Sequence, residues 1–191
     1  MDPAHRAASK YGTYIEATGA KADFAEAMTT WVPVAHALLV ETARSYNRTT
    51  TYKELTDLVQ TRSGIRTKML IGHWSGRLLE AVAVRSADAG EPPLTSLCVH
   101  QDGTVGEGYR SAPKSVESNP ESDVDDLAAA HRLLCYRRYA TDLPADGGVP
   151  TLTQKVAATR SKRTKDTERR RAVCSVHFME LSATGVCPEC D

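Results

Sequence analysis

The stretch from Thr51 to Tyr109 constrains the chain most, because it fixes an order of elements. Thr51, with Glu54 three residues on, has the capping-box arrangement and announces a short helix over TYKELTDLVQ. The segment SGIRTK reads as a turn. MLIGHWSGRLLEAVAVRSADAG reads as a longer helix that stops at Gly90. PPLTSLCVHQDGTVGEGY then gives two runs of strand formers around a turn at Asp102-Gly103, the pattern of a hairpin. Helix, turn, helix and hairpin is the order of a winged helix-turn-helix, which places a helix in a DNA major groove and a hairpin beside it. The expected fold class is α+β and mainly helical.

The flanks follow from composition and periodicity. Residues 1–20 have little pattern and read as a flexible lead-in to a helical region and winged-helix module over 21–112. From Asp23 the spacing of Phe24, Met28 and Trp31 is helical. Pro33 predicts a break, with a second helix running through Val34, Leu38, Leu39, Thr42 and Tyr46 and ending at Asn47. Within the central stretch Leu55, Leu58 and Val59 are expected to face inward. The second helix carries an apolar stripe of Leu70, Ile71, Trp74, Leu78 and Val82. Residues 113–121 are rich in Ser and Pro and read as a linker. Ser122 with Asp125 predicts a capped supporting helix within 122–145, its acids leading and its arginines trailing, as the helix dipole favours. Its His131 and Cys135, four apart, are only two ligands and read as core.

The chain has 24 Lys and Arg against 24 Asp and Glu, so no general pull on nucleic acid exists. The distribution is uneven: residues 113–126 carry five acids against one Lys, and residues 151–173 carry eight Lys or Arg against Asp166 and Glu168. A basic linker is therefore expected over 146–172. Arg160, Lys162, Arg163, Lys165, Arg169, Arg170 and Arg171 are candidate phosphate contacts there. Arg66, Lys68, His73 and Arg77 are the candidates on the central module. No apolar run approaches the length of a membrane span and no signal peptide opens the chain, so a cytoplasmic protein is expected.

A reducing compartment makes metal binding the first use to test for five cysteines. The segment 173–191 contains CSVHFMELSATGVCPEC, with Cys174 and His177 two residues apart, Cys187 and Cys190 likewise, and nine residues between the pairs. Four such ligands suit a closed, tetrahedral, structural Zn²⁺. So short a segment has almost no core, so the ion would supply its folding energy, with Phe178 and Leu181 packing what interior there is.

Thr51-Tyr52-Lys53-Glu54-Leu55, the helical Gly76-Arg77-Leu78-Leu79 and the wing Gln101 to Tyr109 together resemble the winged-helix domain of alkylguanine-DNA alkyltransferases and their catalytically silent alkyltransferase-like relatives. The resemblance covers about sixty of the 191 residues. It implies minor-groove binding and extrusion of a nucleotide. It also implies a transferring cysteine in a Pro-Cys-His-Arg motif, and counting back from Asp102-Gly103 places Thr95 at that position. The family's intruding arginine corresponds to His73. Cys98, followed by His100, is the nearest thiol to the expected site, a weak version of the lowered-pKa pair that alkyl transfer needs. The reading is a non-catalytic DNA-binding protein with a structural zinc element. A protein-interaction adaptor docking through the same two elements is the alternative, and an alkyl-accepting enzyme the third.

Overall fold

Asp23 starts the first helix by accepting hydrogen bonds from the backbone N–H groups of Ala25 and Glu26, which would otherwise be unpaired. Helix α1 then runs from Phe24 to Ala43 without interruption. The structure is a computed structural model that describes residues 12–116, 121–169, 173–179, 181–182 and 185–190. Two compact units are present, Met1–Thr153 and Gln154–Asp191.

The break expected at Pro33 does not occur, since Pro33 lies inside α1. An interior proline costs about 3 kcal/mol through the lost N–H and a ring clash. On either side of it Trp31, Ala35, Leu38 and Leu39 are buried. Each large side chain among them contributes about 1.5–3 kcal/mol, so burial outweighs the proline. Helix α1 ends before Tyr46, and Asn47 takes a positive φ of 60°.

The described part of the lead-in is ordered. Strand β1 (Thr13–Ile15) pairs antiparallel with β3 (Ile65–Thr67), so the segment expected as a turn is half of a two-stranded sheet. Between them come β2 (Thr50–Thr51) and α2 (Tyr52–Ser63). Both halves of the capping box at Thr51 and Glu54 are formed, and α2 ends at the left-handed Gly64. Leu55 and Val59 are buried as expected, but Leu58 is 43% exposed. Helix α3 (Ser75–Asp88) starts later than expected, after a 3₁₀ turn at Ile71–His73, with Trp74 at its N-cap. Trp74, Leu78 and Val82 are buried, whereas Leu70 is 70% exposed and belongs to no stripe.

The hairpin is absent. PPLTSLCV becomes a 3₁₀ turn (Leu94–Leu97) and a two-residue strand, β4 (Cys98–Val99), which pairs in parallel with β2. Past the turn at Asp102-Gly103 no strand returns, and Glu107–Tyr109 is another 3₁₀ turn. Helix α4 (Val124–Tyr139) is capped by Asp123, one residue after the expected Ser122. It is buried at Leu127, Ala128, Ala129, His131, Arg132, Leu133, Cys135 and Tyr136, most of its circumference. In the second unit, Gln154–Arg169 is a helix, α5, where a linker was expected. No helix among the described residues is long and apolar enough to cross a membrane.

The main core joins α1, α2 and α3. The Trp31 and Trp74 rings lie 4.7 Å apart, Phe24 meets Trp31 edge-on at 5.9 Å, and Trp31 Nε1 donates to Ser63 Oγ at 3.0 Å. Replacing Trp31 by Ala is expected to lower the unfolding free energy by about 3–5 kcal/mol in a urea titration. Leu58→Ala, at an exposed position, should cost less than about 1 kcal/mol in the same measurement.

Candidate functional site

A cleft of about 880 Å³ opens beside the start of α3. One wall is Ile71, Gly72, Ser75, Gly76, Arg77, Leu79 and Glu80, another is Gly106–Tyr109 with Ser111–Pro113, and Tyr52, Thr95, Cys98 and His100 complete it. The parallel β2–β4 pairing makes this possible, because it sets Thr50 beside Cys98 and so brings the first residue of α2, Tyr52, next to the chain leaving β4. The Tyr52 and His100 rings stack 4.7 Å apart with 19° between their planes. Gly106 lies so close to the Tyr52 hydroxyl that a Cβ there would collide with it. Burial pushes the Tyr52 phenol up to about 12, so it is a neutral donor. Helix α3 begins at the cleft without a side-chain cap, leaving first-turn N–H groups and the positive end of its dipole there.

The loop wall is held by side chains. Val105 and Tyr109 are buried with Val99 against Ala128 of α4, and the Val105 N–H donates to Asp125 Oδ1 at 3.0 Å. The Tyr109 hydroxyl lies 2.7 Å from His131 Nδ1. Lys114 Nζ donates to the carbonyls of Tyr109, Ala112 and Arg110, and lies 4.9 Å from the Tyr109 ring centroid. Behind the Leu94–Leu97 turn, buried Arg132 donates to the carbonyls of Ser96 and Thr151 at 3.2 and 3.3 Å. His131 and Cys135 are buried, as read from the sequence, but neither the burial of Arg132 nor the pairing of His131 with Tyr109 was foreseen, because HRLLC on a helix carries no sign of its distant partners.

Of the candidate contacts on this unit, Arg77 lines the cleft, and Lys68 and His73 are exposed. Arg66 is half-buried in β3 and pairs with Glu16 at 2.9 Å. On α5, Lys162, Arg163 and Lys165 are exposed and Arg160 is half-buried. Arg169 ends α5, and Arg170, Arg171 and the side chain of Arg169 lie outside the described residues. Thr95 and Cys98 line the cleft floor. Cys98 is buried, and desolvation pushes its thiol up, the opposite of what a nucleophile needs. His100 stacks on Tyr52.

In the second unit Cys174, His177, Cys187 and Cys190 converge, one ligand atom from each lying within 4.8 Å of every other. Cys174 and Cys190 Sγ are 3.5 Å apart, and His177 Nδ1 lies 3.3, 3.6 and 3.9 Å from the sulfurs of Cys190, Cys187 and Cys174. A tetrahedral ion with bonds of about 2.3 Å to sulfur and 2.0–2.1 Å to nitrogen needs edges of about 3.8 and 3.6 Å, so the four donors fit a metal ion. The backbone N–H groups of His177 and Val176 aim at Cys174 and hold its thiol down to about 6, while Cys190, hydrogen-bonded to Cys174, is pushed up to about 11. Phe178, expected inside, is 82% exposed.

No protein-family model, curated protein or solved structure matches the chain.

The loop anchor has a pH signature. Burial, then the nearby Lys114 charge, lowers His131 from 6.5 to about 4. Between those values the unfolded chain binds a proton that the folded chain does not, so stability falls as pH drops from about 6.5 towards 4. The loss is expected to reach about 3 kcal/mol at most. Urea titrations at steps across this range should show it, and His131→Gln should flatten the profile.

Proposed function

We propose that the chain is a non-catalytic DNA-binding protein whose cleft receives an unpaired or extruded nucleotide. The observation that carries this is the cleft itself. Its volume lies in the range of small-ligand sites. The stacked Tyr52–His100 pair offers an aromatic surface, and the uncapped start of α3 with Arg77 offers the donors that suit a phosphate oxygen. Arg77 is offset by Glu80 and Glu107 in the lining, which favours a nucleobase over a bare polyanion inside. The resemblance of the Thr51–Tyr109 stretch to alkyltransferase-like proteins leads to the same reading. Thr95 and the buried Cys98 supply no activated nucleophile, so binding without alkyl transfer fits best.

Charge supports a division of labour. From Gln154 onward eight Lys and Arg face five Asp and Glu, a net +3, so the preceding residues sum to −3. Affinity for the phosphate backbone then belongs to the second unit, and recognition to the first. Binding to a duplex with a mismatched or missing base should weaken steeply with salt, because neutralising phosphates releases counterions. Deleting residues 151–191 should flatten that dependence. Arg77→Ala should lower the preference for the lesion over intact duplex by about fivefold or more, measured by fluorescence anisotropy. Full-length protein without salt-sensitive affinity for any such DNA would refute the reading. A nuclease-insensitive stoichiometric protein partner would instead make it an adaptor.

We also infer that the C-terminal ion is zinc. Three thiols and an imidazole are its usual donors, and four protein ligands leave no position for a reacting water, so its role is structural. Purified protein should carry one equivalent of zinc by elemental analysis. A Cys187→Ser/Cys190→Ser variant should carry almost none, with the thermal transition of the first unit unchanged.

A further inference from the structure

The metal-binding tip exposes what a small fold normally hides. Phe178 is 82% exposed, with Val176 at 65% and Val186 at 60%. Phe178 also has a φ of 51°, the left-handed region where a bulky side chain is a costly outlier and glycine is not. Its backbone is held there on both sides. The Phe178 N–H donates to the Cys174 carbonyl and the Cys174 N–H to the Met179 carbonyl, each at 2.9 Å. An aromatic ring at a glycine-like position is therefore unfavourable twice, in backbone strain and in exposed apolar surface. Strain of this kind persists where the surroundings dictate it, and it concentrates at functional positions.

The same unit supplies a charge pattern. From Gln154 to Lys165, α5 carries Lys155, Arg160, Lys162, Arg163 and Lys165 and no acid. We propose that Phe178, flanked by Val176, is a stacking platform for the bases of single-stranded nucleic acid, whose phosphates the α5 cations neutralise. An aromatic face accepts any base, and a cationic surface tracks the backbone, which together make a sequence-tolerant single-strand site. Bases within a duplex are already stacked on their neighbours, so the platform discriminates against paired strands. A run of five cations without an acid complements a polyanion, which argues against an ordinary protein surface as the occupant. The proposal makes no use of the cleft but shares the α5 cations with the reading above, and substitutions at Phe178, which leave those cations in place, separate the two.

The test uses the full-length, zinc-loaded protein and oligothymidylate of about twelve nucleotides, a length within single-strand site sizes. Trp31 and Trp74 are buried, so Phe178→Trp places a single exposed indole at the tip. Its emission should be quenched on titration with the oligonucleotide. Phe178→Gly removes the ring while relieving the strained φ, and zinc content confirms that its tip still folds. It should bind the oligonucleotide about tenfold or more weakly, with affinity for intact duplex within about twofold of the parent. Unquenched Phe178→Trp emission, or Phe178→Gly binding as tightly as the parent, would overturn the platform. So would a Phe178→Gly variant that loses self-association or a defined protein complex while keeping its oligonucleotide affinity.

Discussion

A loop that lines a cleft has to satisfy its own backbone, and from His100 to Tyr109 this chain does so without a β ladder. His100 N–H donates to Thr104 O at 2.8 Å, and Asp102 Oδ1 accepts from both the N–H and the hydroxyl of Thr104. Beyond that turn the support comes from α4: Asp125 accepts from the Val105 N–H, Ala128 packs on Val105 and Tyr109, and His131 holds the Tyr109 hydroxyl. Burial disfavours the charged imidazolium at His131, so the partner of the Tyr109 hydroxyl is a neutral ring. The shape of the cleft follows, since the same loop brings Gly106 against Tyr52. Helix α4 is thus part of the module.

The same dependence explains what could and could not be read in advance. The start of α2 was legible because a capping box is a local exchange of hydrogen bonds between Thr51 and Glu54. The Cys/His quartet was legible because ligand spacing is a property of the chain. The hairpin was not, because whether TVGEGY becomes a strand depends on α4, about twenty residues away, capturing Val105 and Tyr109. Pro33 misled for a similar reason, since a local rule was overridden by the burial of Trp31 and Leu39 on both sides of it. Strand β1 escaped notice because its partner β3 is fifty residues on, in a segment that carries turn residues. Tyr52 drew attention only as part of a helix start, although its ring is central to the cleft.

The quartet shows how closely spaced donors constrain one another's protons. One thiolate at Cys174 is stabilised by backbone N–H groups, yet its presence pushes the Cys190 thiol up. Three sulfurs within 4.8 Å of one another disfavour ionising together, because like charges at that distance repel. A divalent ion removes that conflict and stabilises every thiolate together. Phe178, with its left-handed φ, directly follows His177, one of the four candidate ligands, in sequence.

A net charge of zero, taken alone, argues against a partner with one negative charge per phosphate. It loses that force once the charge is resolved along the chain, because the residues up to Thr153 sum to −3 and those beyond to +3. Salt screens exposed charges beyond a Debye length of about 8 Å at physiological ionic strength, so for a polyanion a local excess such as that on α5 counts for more than the sum over the chain. Under the proposed function, a net-acidic first unit then has a use. On the proposed DNA-binding reading it would contribute little indiscriminate attraction, and preference for one nucleotide over another would rest on stacking and hydrogen bonding at the cleft residues Tyr52, His100 and Arg77. Phosphate attraction alone carries no sequence or lesion information, and separating it from the cleft keeps the two contributions from masking each other.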